Sequence, residues 1–162
     1  SSLLRIAATL LMPAAGSIAW SGEDVAEDRD AHRRRLRYVG HLDGLKGAFT
    51  VQEDLLTGGR LVGSDLSNVG PAMEALGVGP LRHLPVRYLS SGQRRRTALA
   101  RLVMSPAPLW LLDEPTVGLD DDGGERLRRL IERQRDGGGV VIAATHLDLG
   151  LASARTLRLG RA

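Results

Sequence analysis

Two adjacent acidic residues follow a short apolar run in the second half of the chain. The letters LWLL at residues 109–112 lead directly into Asp113 and Glu114, a pattern typical of a buried parallel strand with carboxylates at its carboxyl end. Two carboxylates there are costly unless a cation or a reaction uses them. In a nucleotide hydrolase, Asp113 would hold Mg²⁺ through water and Glu114 would polarise the water that attacks the γ-phosphate. The alternative, equally open for these residues alone, is that both acids begin a turn at Pro115 and cap the next helix.

A second segment, LSSGQ at residues 89–93, precedes a run with helical periodicity. Ser90, Ser91 and Gly92 are small enough to let backbone N–H groups approach an anion, and the positive end of a helix dipole favours phosphate. Gln93 completes the segment. The alternative is an ordinary serine N-cap, which is the commoner origin of so short a string. The segment therefore indicates a helix start and leaves phosphate binding open.

Two further segments each contribute one polar side chain. His146, in ATHLD, follows an apolar run at residues 140–145 and could hydrogen-bond a γ-phosphate or the catalytic water. Asp120, in VGLD, lies just beyond the two acids and could reach a partner subunit. A histidine at a strand end is more often structural, and an aspartate that leads into an acidic run is more often a solvated residue before a helix. Neither residue identifies a site by itself.

The elements that must position these residues alternate between helix and strand. In chain order, hydrophobic periodicity and turn residues predict a helix over 3–11, a strand within 16–22, a charged helix within 23–35, a strand over 36–41, modest helices over 50–88, a helix from 93, a strand over 109–113, a helix over 124–134, a strand over 140–145, a short helix near 149–152 and a final strand over 156–160. Such alternation predicts an α/β fold with a mainly parallel core sheet. We expect one domain over residues 1–162, with a small helical subdomain over about 50–88 inserted in the α/β core.

Composition excludes several classes of protein. No uninterrupted apolar stretch reaches the ~18 residues that a transmembrane helix needs, and the first segment lacks the pattern of a signal peptide. Cysteine is absent from the sequence, which excludes disulfides and cysteine-ligated metal. The net charge of +3 would suit nucleic acid, but aromatic residues make up only 3% of the chain, so unstacked bases would find few stacking partners. We expect no nucleic-acid partner and no membrane span.

Several basic residues are predicted to lie on the surface. The run Arg94 to Arg96 indicates a solvated helix face that could meet lipid headgroups or a partner's loop. His32 and His83 stand among arginines and apolar residues without a motif. We expect both imidazoles to be exposed.

The order and spacing of the four polar segments resemble those of the ATP-binding cassette (ABC) ATPases. LSSGQ resembles the signature motif, LWLLDE the Walker B motif, GLD the D-loop, and His146 the switch histidine. FTVQEDL at residues 49–55 resembles the LTVxENL stretch that opens the helical subdomain of this family, so the resemblance covers essentially the whole chain. It implies an ABC ATPase fold of the P-loop NTPase type, with ATP and Mg²⁺ as cofactors. It also implies that Asp113 holds Mg²⁺ through water and that Glu114 and His146 are catalytic.

One departure from the family pattern narrows the resemblance. ABC ATPases usually carry a glutamine that touches Mg²⁺ in the loop before the LTVxENL stretch, and His41 in YVGHLDGL stands at the matching position. An imidazole can also ligate or hydrogen-bond, so we assign His41 to the cofactor. YxGHxDGLK, LSxGQRRRxALARL and PLWLLDEP together resemble the ATP-binding subunit of the exporter in cytochrome c biogenesis, the haem-exporter type.

The resemblance also implies partners. Family members work as head-to-tail pairs, with each ATP held between the phosphate loop of one subunit and the signature helix of the other. Residues 90–93 and Asp120 would then serve the nucleotide of a second ATPase subunit. The further partners would be integral membrane transporter subunits, with this chain peripheral at the cytoplasmic face of a bacterial inner membrane. The alternative is the ATPase subunit of a different ABC exporter.

The phosphate loop of this family, G-x-x-x-x-G-K-[ST], has no counterpart in the 162 residues, and Lys46 lacks the required glycine spacing. Ser1 fits the last position of the motif, whose hydroxyl ligates Mg²⁺, and Ser2 begins the helix that faces the phosphates. We therefore expect the first strands and the glycine-lysine cradle to be missing, and this sequence by itself to be inactive. Either it is a truncated copy of an ATPase subunit, or it is a genuine short binding or regulatory protein. The retained acids, signature and histidine favour the first hypothesis.

Overall fold

The computed structural model describes residues 1–159, in which helices alternate with short strands. The elements in chain order are α1 (Ser2–Ala7), β1 (Ala19–Trp20), β2 (Glu23–Asp24), α2 (Arg29–Arg34), β3 (Leu36–Val39), α3 (Val51–Leu61), α4 (Val69–Ala75), α5 (Ser91–Met104), β4 (Leu109–Asp113), α6 (Asp121–Asp136) and β5 (Val140–Ala144). Single 3₁₀ turns lie at Leu66–Asn68, Gly79–Leu81 and Val86–Tyr88. The α/β fold predicted from the sequence is confirmed.

Three of the strands form one parallel sheet with β4 in its centre. β3 pairs with one side of β4 and β5 with the other, so that Val39 lies beside Leu112 and Asp113 beside Ala144. Because the strands are parallel, their carboxyl ends meet at one edge. The residues that follow β3, β4 and β5 therefore lie together at this edge, which we call the sheet edge.

Strand β4 is buried on both faces, as its unbroken apolar sequence predicts. Trp110 and Leu112 belong to a large apolar cluster with the buried faces of α3, α4, α5 and α6. Leu109 and Leu111 pack on the opposite side, together with Leu4 of α1. A fully buried leucine contributes about 1.5–3 kcal/mol through the area it removes from water. The central strand thus holds helices on both of its faces and fixes the position of the acids that end it.

Helices supply most of the regular structure between Val51 and Tyr88. Helix α3 begins at a capping box in which the Glu53 N–H donates to the Thr50 hydroxyl, 3.2 Å, and the Thr50 N–H donates to the Glu53 carboxylate, 2.8 Å. The hydrogen bond from the Thr50 N–H lowers the pKa of the Glu53 carboxyl, and the Thr50 side chain lowers it further. The buried faces of α3 and α4 pack against α5. Within residues 1–159, no helix is long and apolar enough to cross a bilayer.

The predicted first helix and the segment after it are corrected by the structure. Helix α1 ends at Ala7 rather than near residue 11, and Thr9 adopts the left-handed conformation, φ +56°, which an α-helix does not continue through. The charged helix predicted within 23–35 begins only at Arg29. Its first residues instead form β2, which pairs antiparallel with β1.

The last predicted elements do not form in the described residues. No helix forms near 149–152 and no strand forms over 156–159, where Leu157 and Leu159 are exposed. Alternating leucines are insufficient here because a strand also needs a neighbour that accepts its ladder of hydrogen bonds. Gly160, the last residue of the predicted strand, lies outside the described residues. Helix α6 starts at Asp121, three residues before the predicted Gly124.

Candidate functional site

The two residues that the sequence assigns to Mg²⁺ lie in contact at the sheet edge. The Ser1 hydroxyl donates to Oδ1 of Asp113 at 2.9 Å, although 112 positions separate them in the chain. Ser1 precedes α1, whose Leu4 packs beside Leu109 and Leu111, and Asp113 is only 2% exposed. The packing of α1 against β4 therefore brings a hydroxyl and a buried carboxylate together, which are oxygen ligands of the kind that Mg²⁺ prefers.

Glu114 and His146 meet directly beside this pair. The backbone N–H of His146 donates to Oε2 of Glu114 at 3.4 Å, and Nε2 of the His146 ring lies 3.4 Å from Oε1 of Glu114. The Glu114 N–H donates to the Ala144 carbonyl at 2.8 Å, which continues the β4–β5 ladder by one residue. Only 19% of the Glu114 side chain is exposed, against 96% of His146. The sheet thus joins the two predicted catalytic residues, with the carboxylate inside and the imidazole outside.

The backbone of Glu114 bends away from the strand. Its φ is +46°, in the left-handed region that residues with a Cβ adopt rarely. Such a conformation needs support from its surroundings.

The charge of Asp113 acts on its neighbours at the sheet edge. Burial raises the pKa of the Tyr38 phenol, and the negative charge of Asp113 raises it further. The positive charges of Arg5 and Arg95 act in the opposite direction on the same phenol. Charges of both signs therefore act at this end of the sheet.

His41 lies at the sheet edge but apart from the acids. It follows β3 and Gly40, and it is exposed. Its imidazole makes no hydrogen bond to any of residues 1–159. The structure thus places His41 just after the strand that neighbours β4 without joining it to the carboxylates, and its assignment to the cofactor stays a prediction.

The LSSGQ segment starts helix α5 with a capping box. The Gln93 N–H donates to the Ser90 hydroxyl at 3.2 Å, and the Ser90 N–H donates to Oε1 of Gln93 at 2.9 Å. The capping role considered for this serine is therefore present. Ser91 is exposed. Its hydroxyl and the backbone N–H groups of the first turn are the groups of this segment that remain available to bind an anion.

The VGLD segment packs closely against this helix start. Gly118 has φ +79°, and its carbonyl oxygen lies where a Cβ on Gly92 would stand. Glycine at 92 is therefore required by backbone packing inside the chain, whatever else its N–H binds. Asp120 is the N-cap of α6 and accepts from the Gly123 N–H at 2.9 Å. We call residues 90–93 together with 117–120 the signature turn.

Arg95 is a site residue that the sequence interpretation missed. Predicted to lie on a solvated face, it is 4% exposed, and its guanidinium reaches the sheet edge beneath the two acids. One signal could have found it: Arg95 stands at helical spacing from the buried Ala98, Leu99 and Leu102. That spacing indicates the inward face of α5.

Three other basic residues lie away from the site, and one of them differs from expectation. His32, expected on the surface, is 2% exposed, with Nε2 2.9 Å from the Ala7 carbonyl oxygen and its ring 6.4 Å from that of Trp20. His83 is exposed, as expected. The Lys46 ammonium lies over the Phe49 ring, 5.2 Å from its centre, in the loop before α3. The lysine therefore has a local partner rather than a place at the sheet edge.

Comparison with known proteins gives the same result by sequence and by structure. Residues 1–117 match the family model described as ABC transporter. A protein of Rhodospirillum rubrum named cytochrome c biogenesis ATP-binding export protein CcmA is 47% identical over 159 residues, which cover 98% of this chain and 68% of that protein. A protein of the same name from Pseudomonas aeruginosa is 38% identical, over 99% of this chain and 80% of its own length.

Two solved structures have the same fold. The ATP binding subunit of an ABC transporter superimposes with a TM-score of 0.79 at 20% identity, and this chain spans 62% of its length. An ABC transporter ATP-binding protein of Pyrococcus furiosus superimposes with a TM-score of 0.76 at 23% identity, over 73% of its length. The fold and the four ordered segments are thus those of one family, and this chain belongs to the ABC transporter family, within the group of cytochrome c biogenesis ATP-binding export proteins.

Proposed function

We propose that this chain is the ATP-binding and ATP-hydrolysing subunit of an exporter in cytochrome c biogenesis, with haem export as its task. One observation carries the proposal: the fold joins Ser1 to Asp113 and Glu114 to His146 at a single sheet edge. Oxygen ligands for a cation and a supported carboxylate for a water molecule are the two requirements of phosphoryl transfer to water. Relatives that share 38–47% identity and one printed name support this group over other exporters.

Mg²⁺ fits the donor set at the sheet edge. The Ser1 hydroxyl would ligate it directly and Asp113 through water, because a magnesium ion keeps several waters and takes few protein ligands. When bound, the ion supplies positive charge opposite the phosphate oxygens. His41 follows the adjacent strand and would add the further contact assigned to it.

Glu114 and His146 would act on the water that attacks the γ-phosphate. The Glu114 carboxylate is mostly shielded from solvent, so a hydrogen bond from a water to it is stronger than one in bulk solvent. The His146 N–H holds that carboxylate from one side. Its exposed imidazole is left to contact the phosphate.

Residues 90–93 and Asp120 would serve the nucleotide of a second subunit in a head-to-tail dimer. The support is geometric: the first turn of α5 presents Ser91 and backbone N–H groups outward, while the packing against Gly118 fixes the position of Gly92. The dimer would drive integral membrane subunits from the cytoplasmic face of a bacterial inner membrane. The helices between residues 50 and 88 would form a subdomain inserted in the α/β core.

The 162 residues by themselves would bind ATP weakly and hydrolyse it little. The sequence contains no glycine cradle followed by lysine, and that loop supplies most of the contacts to the β- and γ-phosphates in P-loop proteins. Lys46 is held over Phe49 and does not substitute for it. The catalytic proposal therefore concerns a polypeptide in which a phosphate loop precedes these residues, which we call the complete protein.

The test compares ATP turnover and ATP binding in that complete protein. Glu114→Gln removes the proton acceptor and keeps the size of the side chain, so we expect turnover to fall about 100-fold or more while ATP affinity is retained and a closed dimer accumulates. Glu132→Gln, which removes a carboxylate from the far part of α6, is the matched control and should hydrolyse ATP normally.

Phosphate release, titration calorimetry and light scattering measure the three quantities. Unchanged turnover in Glu114→Gln would remove Glu114 from its role. A polypeptide of the 162 residues alone is the third sample, and micromolar ATP affinity there would overturn the proposal that this sequence binds weakly without a phosphate loop.

A further inference from the structure

We propose that Arg95 is a positioning residue for ATP hydrolysis, whose guanidinium holds the turn that carries Glu114 and ties it to the loop that carries His41. The inference rests on the function proposed for Glu114. It assigns a specific task to a residue that touches neither a nucleotide nor a water by itself.

The guanidinium of Arg95 makes five hydrogen bonds to two separate segments. Toward the turn after β4, Nη2 donates to the carbonyl oxygens of Asp113 and Glu114, 2.6 and 2.9 Å, and Nε donates to that of Pro115, 3.3 Å. Toward the loop after β3, Nη1 donates to the carbonyl oxygen of Gly40, 2.8 Å, and to Oδ1 of Asp43, 3.2 Å. One side chain thus spans the ends of two neighbouring strands.

These carbonyls need a donor from outside the sheet. The Glu114 residue leaves the strand with φ +46°, and the β4–β5 ladder ends at the bond from its own N–H to Ala144. A buried carbonyl without a donor costs about 1–3 kcal/mol, so three successive carbonyls favour a group with several N–H donors in one plane. Guanidinium has that fork geometry, whereas the ammonium of lysine is a point charge.

The arrangement explains how a strained glutamate keeps one orientation. The Glu114 side chain is held by His146 on one side, and its backbone is held by Arg95 on the other. A displacement of about 1 Å in a catalytic group can cost about 100-fold in rate. Removal of Arg95 would free the turn to relax and would move the Glu114 carboxylate.

Arg101 provides a control on the same helix. It donates to the carbonyl oxygens of Asp43 and Gly44, 3.3 and 3.2 Å, and to Oδ2 of the buried Asp54, 2.7 Å. Arg101 therefore binds the loop after β3 as Arg95 does, but makes no hydrogen bond to the turn after β4. Loss of Arg101 therefore tests the stability of that loop and of its attachment to α3, without removing a hydrogen bond from the turn after β4.

The experiment measures kcat and KM for ATP, together with the melting temperature, in the complete protein. For Arg95→Gln we expect kcat to fall about 10- to 100-fold with KM for ATP changed less than about threefold, because the phosphate contacts lie elsewhere. Arg95→Lys should recover part of kcat, since it keeps the charge and one or two of the bonds. For Arg101→Gln we expect a loss of melting temperature comparable to that of Arg95→Gln, but with kcat within about threefold of wild type.

Two results would overturn the proposal. The first is a loss of kcat that parallels the loss of melting temperature to the same extent in Arg95→Gln and in Arg101→Gln. Such a result would show a structural role only. The second is wild-type kcat in Arg95→Lys, which also decides the matter if Arg95→Gln does not fold. The assignment of Glu114 is tested separately: normal turnover in Glu114→Gln contradicts the proposed function, whereas an inactive Glu114→Gln beside an active Arg95→Gln contradicts only the role of Arg95.

Discussion

The sheet edge and the signature turn both hold predicted site residues, but they are assembled at different distances along the chain. At the sheet edge, hydrogen bonds join Ser1 to Asp113 over 112 positions and Glu114 to His146 over 32 positions. In the signature turn, the capping bonds of Ser90 and Asp120 each reach a residue three positions away. One region is a product of the whole fold, and the other consists of two helix starts.

This difference determines what each region offers to a ligand. At the sheet edge, parallel strands end together, and we propose that the chemistry belongs to the side-chain oxygens of Ser1, Asp113 and Glu114. In the signature turn, the Ser90 and Asp120 side chains are already occupied by their own helices. A ligand there meets backbone N–H groups and Ser91, which suits recognition of phosphate rather than chemistry on it.

The largest effect expected in the signature turn comes from Gly92→Ala. A Cβ at residue 92 would collide with the Gly118 carbonyl oxygen, so the two helix starts would move apart at a cost of about 1–3 kcal/mol in the free energy of unfolding. Urea denaturation measures this cost. Gly124→Ala is the matched control: the space around Gly124 in α6 is open, and alanine there should stabilise by about 0.5–1 kcal/mol.

The outcome decides whether the signature turn has any long-range constraint. Equal stability of Gly92→Ala and wild type would mean that the two segments are not packed as the structure has them. The turn would then be local in every respect. A loss confined to Gly92→Ala shows that one backbone contact joins the segments although their side chains act separately.

A smaller effect is expected from Ser90→Ala. The substitution removes the acceptor of the Gln93 N–H and should lower the free energy of unfolding by about 1 kcal/mol, the usual contribution of a serine N-cap. Ser91→Ala, one residue further, removes an exposed hydroxyl outside the capping box and should change stability by less than about 0.5 kcal/mol. Thermal unfolding of the two variants compares them directly. A greater loss for Ser91→Ala would contradict the local origin of this helix start.

The same distinction explains which features could be predicted from the sequence. Strands β4 and β5 and helix α5 follow from apolar runs and helical periodicity, and the start of α5 follows from a serine within three residues of its partner. Strand β1 lies within the strand predicted over 16–22, but β2 and its pairing with β1 escape such patterns because each strand has two residues. Periodicity needs a longer window.

Arg95 was predicted wrongly for a different reason. Its partners lie between 18 and 55 positions away, so nothing next to it in the sequence shows that its charge is satisfied. Charged residues are almost never buried unless they are paired. The pairing here uses four carbonyls, which have no sequence signal, and the carboxylate of Asp43, which lies 52 positions away. The candidate residues of the sheet edge could be named from the sequence because the order of four segments resembles a family. The contact between Ser1 and Asp113 could not, because it is formed only by the fold.

The smallest effect is expected on lowering the pH, which acts on helix α6, one of the two helices that begin at the signature turn. Hydrogen bonds from Arg128 and Arg129 lower the pKa of Glu125 from its ordinary 4.5, so the folded state holds this carboxylate in its charged form more strongly than the unfolded state does. The stabilisation is complete above the ordinary pKa and is lost as the pH falls through the lowered value. Between about pH 5 and pH 3, the melting temperature of wild type should therefore fall slightly more steeply than that of Glu125→Gln.

Glu27→Gln, which changes an exposed carboxylate without an arginine partner in residues 1–159, should follow wild type. Because these ion pairs span three or four positions along α6, a Glu125→Gln curve as steep as wild type would show that acid acts first on long-range contacts and not on this local helix.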